Sequence, residues 1–422
     1  MPTPPPASVA LSNRAQSLKP SGTLAIAAKA KALAKQGADV LNFSLGEPDF
    51  DTPEAIRKAA VDALGSGQTH YVATLGDPET RAAIAEKLVR ENGIAGLTAD
   101  HVAISTGAKL SFYLVAHCLL DQGGVGPNEM LLPVPAWVSY APICELAGGK
   151  VVPLPTSPEA DFKITPEQLK RAITPRSRIL LLNSPSNPCG TMYSPEDLKA
   201  LAAVVAEAAA TIAPGLVIVT DEIYEKIVYG GMAHFSIGSV PSVANRTVTI
   251  NGMSKAYAMT GWRVGYAAAP GEFGLRLIKA IDAFQGQMTS CITSFVYPAI
   301  RVALKSCGPD AERFRVEFSK RAKLAHDRLM AIPGMKCPRP TGAFYLFPDV
   351  SAYFGKKSAA GKVITNSTDF AEALLVEAHV ATVPGVEFGG CGGNHIRISF
   401  ACSEAQIEKG MGRIAKFVAT FA

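Results

Sequence analysis

"LVIVTDEIYE", residues 216–225, sets four aliphatic residues in a row and then turns abruptly to Thr, Asp, Glu, Tyr and Glu. A short apolar run without polar alternation reads as a strand covered on both faces, the kind found in mostly parallel sheets sandwiched by helices. Outward from it the same texture recurs in "HVAIST" (101–106), "EMLLPVP" (129–135), "RILLLNSP" (178–185), "TVTING" (247–252) and "VGYAAA" (264–269). Helical stretches alternate with these runs, so residues 100–270 read as βα units. A Thr or Ser cap followed by Pro announces helices at "TPEAIRKAA" (52), "TPEQLKRAI" (165) and "SPEDLKALAAVVAEAAA" (194). Gln168 and Asp197, each three residues past its cap, read as capping-box partners. After about residue 300 a charged helix around "RFRVEFSKRAKLAHDRLMAI" and the strand-like "GAFYLFPDV" and "HIRISFA" indicate a smaller α+β unit. The Gly-rich "PGVEFGGCGGN" (384–394) reads as a surface loop.

Composition limits the function. With 422 residues, 48% apolar and 18% charged, the chain can bury a large core in two or three domains. The formal charge of +5 is dispersed, with no block of five like charges, which argues against a nucleic-acid or membrane-surface arm. Eight scattered cysteines without a CxxC pair suggest neither a zinc site nor a disulfide scaffold, so no metal is expected. The N-terminus lacks a signal-peptide pattern and no run of 18 apolar residues occurs, from which a cytoplasmic protein with a short proline-rich arm is expected.

Polar residues collect just past the strand ends, where open α/β sheets bind ligands. "STGAKLS" (105–111) opens a helix behind Gly107, and free N–H groups there suit a phosphate. "NSPSNPCG" (183–190) presents Asn187, and "TDEIYE" presents Asp221 and Tyr224. "TINGMSKAYAMTGWRVGY" (249–266) places Lys255 and Arg263 eight residues apart, and "PVPAWVSYAP" supplies Trp137. A lysine amine, an arginine, an oxyanion corner, a carboxylate and a large aromatic are what a pyridoxal phosphate site needs.

In order along the chain, "PSGTLAI", "FSLGEPDFDTPEAI", "YVATLGDPETRAAIAEKL", "PAWVSY", "NSPSNPCG", "TDEIYE", "GMSKAYAMTGWRVGY", "GAFYLF" and "NHIRISFA" resemble a fold-type I, pyridoxal-phosphate-dependent class I aminotransferase. The sequence is most similar to the bacterial aspartate aminotransferase branch, which also includes prephenate aminotransferases. The resemblance implies a large domain (50–300) with a mostly parallel seven-stranded sheet, a small α+β domain (16–49 with 301–422) and a flexible arm (1–15). It implies that Lys255 is the Schiff-base lysine and general base. Arg263, Gly107, Ala108 and Ser254 would hold the phosphate, Asp221 the pyridinium nitrogen, Tyr224 and Asn187 the phenolic oxygen, and Trp137 the ring face. Tyr71 would reach the partner subunit's phosphate, making a homodimer part of the site. Arg397 and Gly46 would meet the substrate's α-carboxylate, with Trp137 and Asn187 lining the same site, and Lys109 the distal one, helped by Thr23. Gly252 stands where many class I enzymes have a serine. The implied reaction is ping-pong transamination of L-aspartate with 2-oxoglutarate. The alternatives are a prephenate aminotransferase, an enzyme doing both, and, further off, a C–S lyase or an acyl-transferring synthase. A regulator would need an appended DNA-binding segment, for which some 20 residues ahead of the match are too few.

Overall fold

The computed structural model describes residues 11–18, 22–121, 123 and 126–421. Its centre is a seven-stranded sheet of β1 (Val102–Thr106), β2 (Glu129–Val134), β3 (Lys150–Pro155), β4 (Ser177–Asn183), β5 (Val217–Asp221), β6 (Thr247–Gly252) and β7 (Val264–Ala268). The spatial order is β1-β7-β6-β5-β4-β2-β3, and every pairing is parallel except those of β7 with β1 and β6. Successive side chains of a strand point to opposite faces, and here each face has its own core. Ile179, Leu181, Val217 and Val219 pack with the helices Ala108–Leu119 and Gly271–Gly286. Leu180, Leu182 and Ile218 pack instead with Leu198, Leu201 and Val205 of the helix Pro195–Ala210. Two apolar cores explain why these strands show no polar alternation.

A third cluster seals the β1–β7 side with the helices Glu54–Gly65, Pro78–Asn92 and Tyr297–Ser306. A fourth joins the helix Gly308–Met330 to the short strands Tyr345–Leu346 and Ile396–Ser399 and to the helices Ser367–Ala378 and Glu404–Ala419. The segment before residue 46 attaches to this C-terminal part. Leu41–Asn42 pairs in parallel with Val380–Ala381, and Asp39 accepts from Lys409 and Arg413.

Several local expectations are corrected. Thr52 does not cap a helix, since its hydroxyl donates to the Ala258 carbonyl and accepts from Trp262, and Pro53 takes the cap position. Thr165 caps its helix, but the Gln168 amide donates to Pro155 O at 2.7 Å instead of closing the box. The Ser194–Asp197 box closes as expected. Strand β3 was not legible because its prolines and exposed residues belong to a sheet edge. The stretch 384–394 is partly interior, with Pro384, Gly385 and Phe388 buried. There Gly385 lies so close to Gly392 O that a Cβ would come within 2.2 Å. Of the expected arm, residues 1–10 fall outside the described residues, and Asn13–Ser17 form a short helix capped by Ser12.

Candidate active site

Strands β1, β2, β4, β5 and β6 all end at one edge of the sheet, and the antiparallel β7 begins there. A cavity of about 410 Å³ opens at that edge. It is lined by eleven of the fourteen residues given site roles above: Gly46, Ala108 and Lys109; Trp137, Asn187 and Asp221; Tyr224, Ser254 and Lys255; Arg263 and Arg397. Gly107 stands behind Arg263 at the start of the helix Ala108–Leu119. Tyr71 does not line the cavity and is 88% exposed. The Thr23 side chain lies outside the described residues.

Asp221 is the buried acid of the cavity. It accepts from Tyr140 Oη at 2.7 Å and from the Ile223 N–H at 3.1 Å. Burial outweighs these bonds and pushes its carboxyl up to about 6. Tyr224 Oη lies 2.8 Å from Tyr345 Oη, and burial raises the Tyr224 phenol further. Asn187 is placed by its own N–H donating to Asn183 Oδ1, while Asn183 Nδ2 donates to the Asp221 carbonyl.

Lys255 donates to the Gly46 carbonyl. Burial, helped by the nearby Arg397 and Arg263 against the opposing Glu47, lowers its ammonium to about 8. An amine that sheds its proton so readily can act as a nucleophile or a base near neutral pH. Arg263 adopts φ +56°, in the left-handed region that non-glycine residues occupy only under constraint, and donates to Thr260 O at 3.0 Å. Its guanidinium leaves no room for a side chain opposite: a Cβ on Gly107 would lie 2.3 Å from Arg263 Nη2. The first N–H groups of the helix after Gly107 have no intrahelical carbonyl to reach. With Arg263 they make a corner suited to an anion. Gly252 is explained by space, since a Cβ there would come within 2.6 Å of Val264 O. Ser254 is buried beside the same cavity.

Arg397 is 3% exposed. Its Nη1 donates to Asn187 Oδ1 at 3.0 Å and its Nη2 to Ser44 O at 2.6 Å, while Nε is buried without a partner. The guanidinium lies 4.7 Å from the Tyr345 ring centroid. Among the described residues no carboxylate forms an ion pair with it. A buried cation held only by neutral acceptors is suited to receive an anion. Lys109, 5.0 Å from the Trp137 ring centroid, likewise has no ion pair among the described residues, and burial with Arg263 lowers its ammonium.

Two residues with evident parts in this arrangement escaped the sequence reading. Tyr140 holds Asp221, and Tyr345 touches both Tyr224 and Arg397. Both fall inside quoted motifs, "PAWVSY" and "GAFYLF", which was the only signal available.

Comparison with known proteins extends over nearly the full chain. A family model described as aminotransferase class I and II matches residues 38–414. The aspartate aminotransferase of Geobacillus stearothermophilus is 42% identical over 409 residues, covering 97% of this chain and 98% of that protein. An aspartate/prephenate aminotransferase of Cereibacter sphaeroides is 41% identical, covering 97% of this chain and 98% of its own. The crystal structure of the aspartate aminotransferase from Rhizobium meliloti superposes with a TM-score of 0.91 at 40% identity, covering 98% of this chain and 100% of that one.

Proposed function

The chain belongs to the class I and II aminotransferases, and from that premise we propose that it transfers the amino group of L-aspartate to 2-oxoglutarate with pyridoxal 5'-phosphate, as a cytoplasmic homodimer. The observation that carries the substrate reading is a pair of cations, Arg397 and Lys109, that have no carboxylate partner among the described residues and share one cavity, as suits a substrate with two carboxylates.

The residues fit the cofactor. Arg263 and the helix start at Ala108, with Ser254 beside them, suit its phosphate, and buried Asp221 suits its ring nitrogen. Tyr224 and Asn187 suit its phenolic oxygen, Trp137 its ring face, and Lys255 its aldehyde. When bound, the group supplies an aldehyde for the lysine amine and a ring that takes up the electron pair left when the Cα–H bond breaks. With its amine free, Lys255 would take the proton from the substrate's Cα as general base and give it back as general acid. Asp221 holds a proton at the ring nitrogen, and Tyr140 fixes Asp221 in place. Arg397 grips the α-carboxylate beside Gly46, Asn187 and Trp137, in a planar fork that a lysine does not reproduce. Lys109 meets the distal carboxylate.

The exposed Tyr71 supports the dimer, as a side chain available to a partner subunit's site. The attachment of residues before 46 to the C-terminal elements supports a small domain of 16–49 with 301–422, set against a large one of 50–300. No helix among the described residues is long and apolar enough to cross a membrane.

The test is the visible spectrum of the purified protein. Loss of the yellow absorbance on adding L-aspartate, and its return with 2-oxoglutarate, is the expected result. A yellow protein indifferent to L-aspartate would overturn the substrate, and a colourless one that takes up no pyridoxal phosphate would overturn the site. Prephenate is the second reading, favoured by relatives named for both substrates. Turnover of prephenate with an amino donor decides it.

A further inference from the structure

The segment Asp221–Glu225 faces two ways. Asp221 and Tyr224 line the cavity, whereas Glu222 and Glu225 form their bonds in the interior with Lys87 and Asn92 of the helix Pro78–Asn92 and with His234. Glu225 accepts from Lys87 Nζ and, at 2.7 Å, from Asn92 Nδ2. Glu222 accepts from Asn92 Nδ2 at 3.0 Å, His234 Nε2 at 3.2 Å, Ser236 Oγ at 2.6 Å and Thr220 Oγ1 at 3.3 Å. Glu222, Glu225 and His234 are close enough together to ligate a metal ion, but the Lys87 ammonium already occupies Glu225.

Charge counting then leaves a deficit. Two carboxylates, 1% and 8% exposed, share one bonded ammonium, since the Lys226 ammonium that also acts on Glu225 is paired with Glu91, and an unbalanced charge sealed from water is strongly unfavourable. The groups facing His234 are Glu222, Glu225 and Lys87, and the two carboxylates prevail over burial to raise its imidazole. With Nε2 donating to Glu222, Nδ1 is left buried without a partner among the described residues, so a proton there adds charge but no hydrogen bond.

We propose that His234 is a positioning residue: as an imidazolium it completes a neutral four-charge cluster that clamps the rear of the 221–225 turn and sets the field in which Asp221 and Tyr224 work. The proposal rests on the reading of Asp221 as the acid at the cofactor ring, and its test separates the two.

Imidazole NMR of the unmodified protein comes first, with the His234 signal assigned by its loss in His234→Gln. His234 is expected to stay protonated above about pH 7, where an ordinary histidine has shed its proton. A neutral His234 at that pH overturns the proposal whatever the cofactor does. The second readout is the pH midpoint of the visible band of the loaded protein. H234Q leaves one net negative charge behind Asp221 and should raise the midpoint by about half a pH unit. E222Q/H234Q removes one charge of each sign and should restore it. A single variant that leaves the midpoint in place, or a double variant that fails to restore it, reduces His234 to a packing role and overturns the inference. Failure to take up pyridoxal phosphate at all would instead refute the site reading and leave the NMR result standing.

Discussion

Lys87, behind the 221–225 turn, and Arg397, in front of it, are equally buried at 3% exposure. Lys87 bonds to Glu225 and Asn92, whereas Arg397 finds only the carbonyl oxygens of Asn187 and Ser44. Lys255, also in front, meets a backbone carbonyl, and its ammonium is lowered to about 8, whereas the carboxyl of Glu225, behind, is held down to about 2 by its cations. The rear charges satisfy one another and so stabilise the fold. The front charges are left to be satisfied from outside, which is how the same residue types come to mark a binding site.

The comparison is broken most severely at Lys255. K255A should lower turnover by at least about 10⁴-fold, read as kcat with saturating substrate. The cofactor-free variant should nonetheless be no less stable at neutral pH. A lysine depressed to about 8 when folded, against an ordinary 10.5, weakens the fold below pH 8 and is relieved as pH rises through that window.

At the rear, Lys87→Met should destabilise by about 3–5 kcal/mol in denaturant unfolding, because it strands the buried Glu225 carboxylate. Glu225 is depressed from 4.5 to about 2, so its contribution is fully present above pH 4.5 and is lost as pH falls toward 2. The gap between variant and parent should close over that range.

Arg397→Lys should lower kcat/KM by about 10²-fold for every amino acid tried, since all share the α-carboxylate. Lys109→Ala should have the smallest effect. A loss of about 10-fold is expected for L-aspartate and none for a monocarboxylic amino acid, measured as the ratio of the two kcat/KM values. Equal losses for both would remove Lys109 from distal recognition.

Legibility followed the same division. The sheet could be read because strands covered on both faces announce themselves as unbroken aliphatic runs, as Leu180–Leu182 and Val217–Val219 do. The cavity residues could be read because they sit at fixed offsets from those runs in motifs shared with a known family. Strand β3 could not, since an edge strand with two prolines lacks that texture. Nor could the Lys87–Glu225 pair, whose partners are 138 residues apart and meet only through tertiary packing. Thr52 and Gln168 misled for a related reason, because a remote carbonyl competed successfully for a side chain that suited a local cap.

The reversal of β7 imposes a constraint of another kind. Because β6 runs into the cavity edge and β7 runs back out, Lys255 and Arg263 hang from a single loop whose two ends are pinned by the pairing of Gly252 with Gly265. Adding or deleting one residue between them would move one anchor relative to the other and shift the strand register, turning the inner face of β7 outward. Divergence in this protein's lineage is therefore expected to proceed there by substitution at constant length.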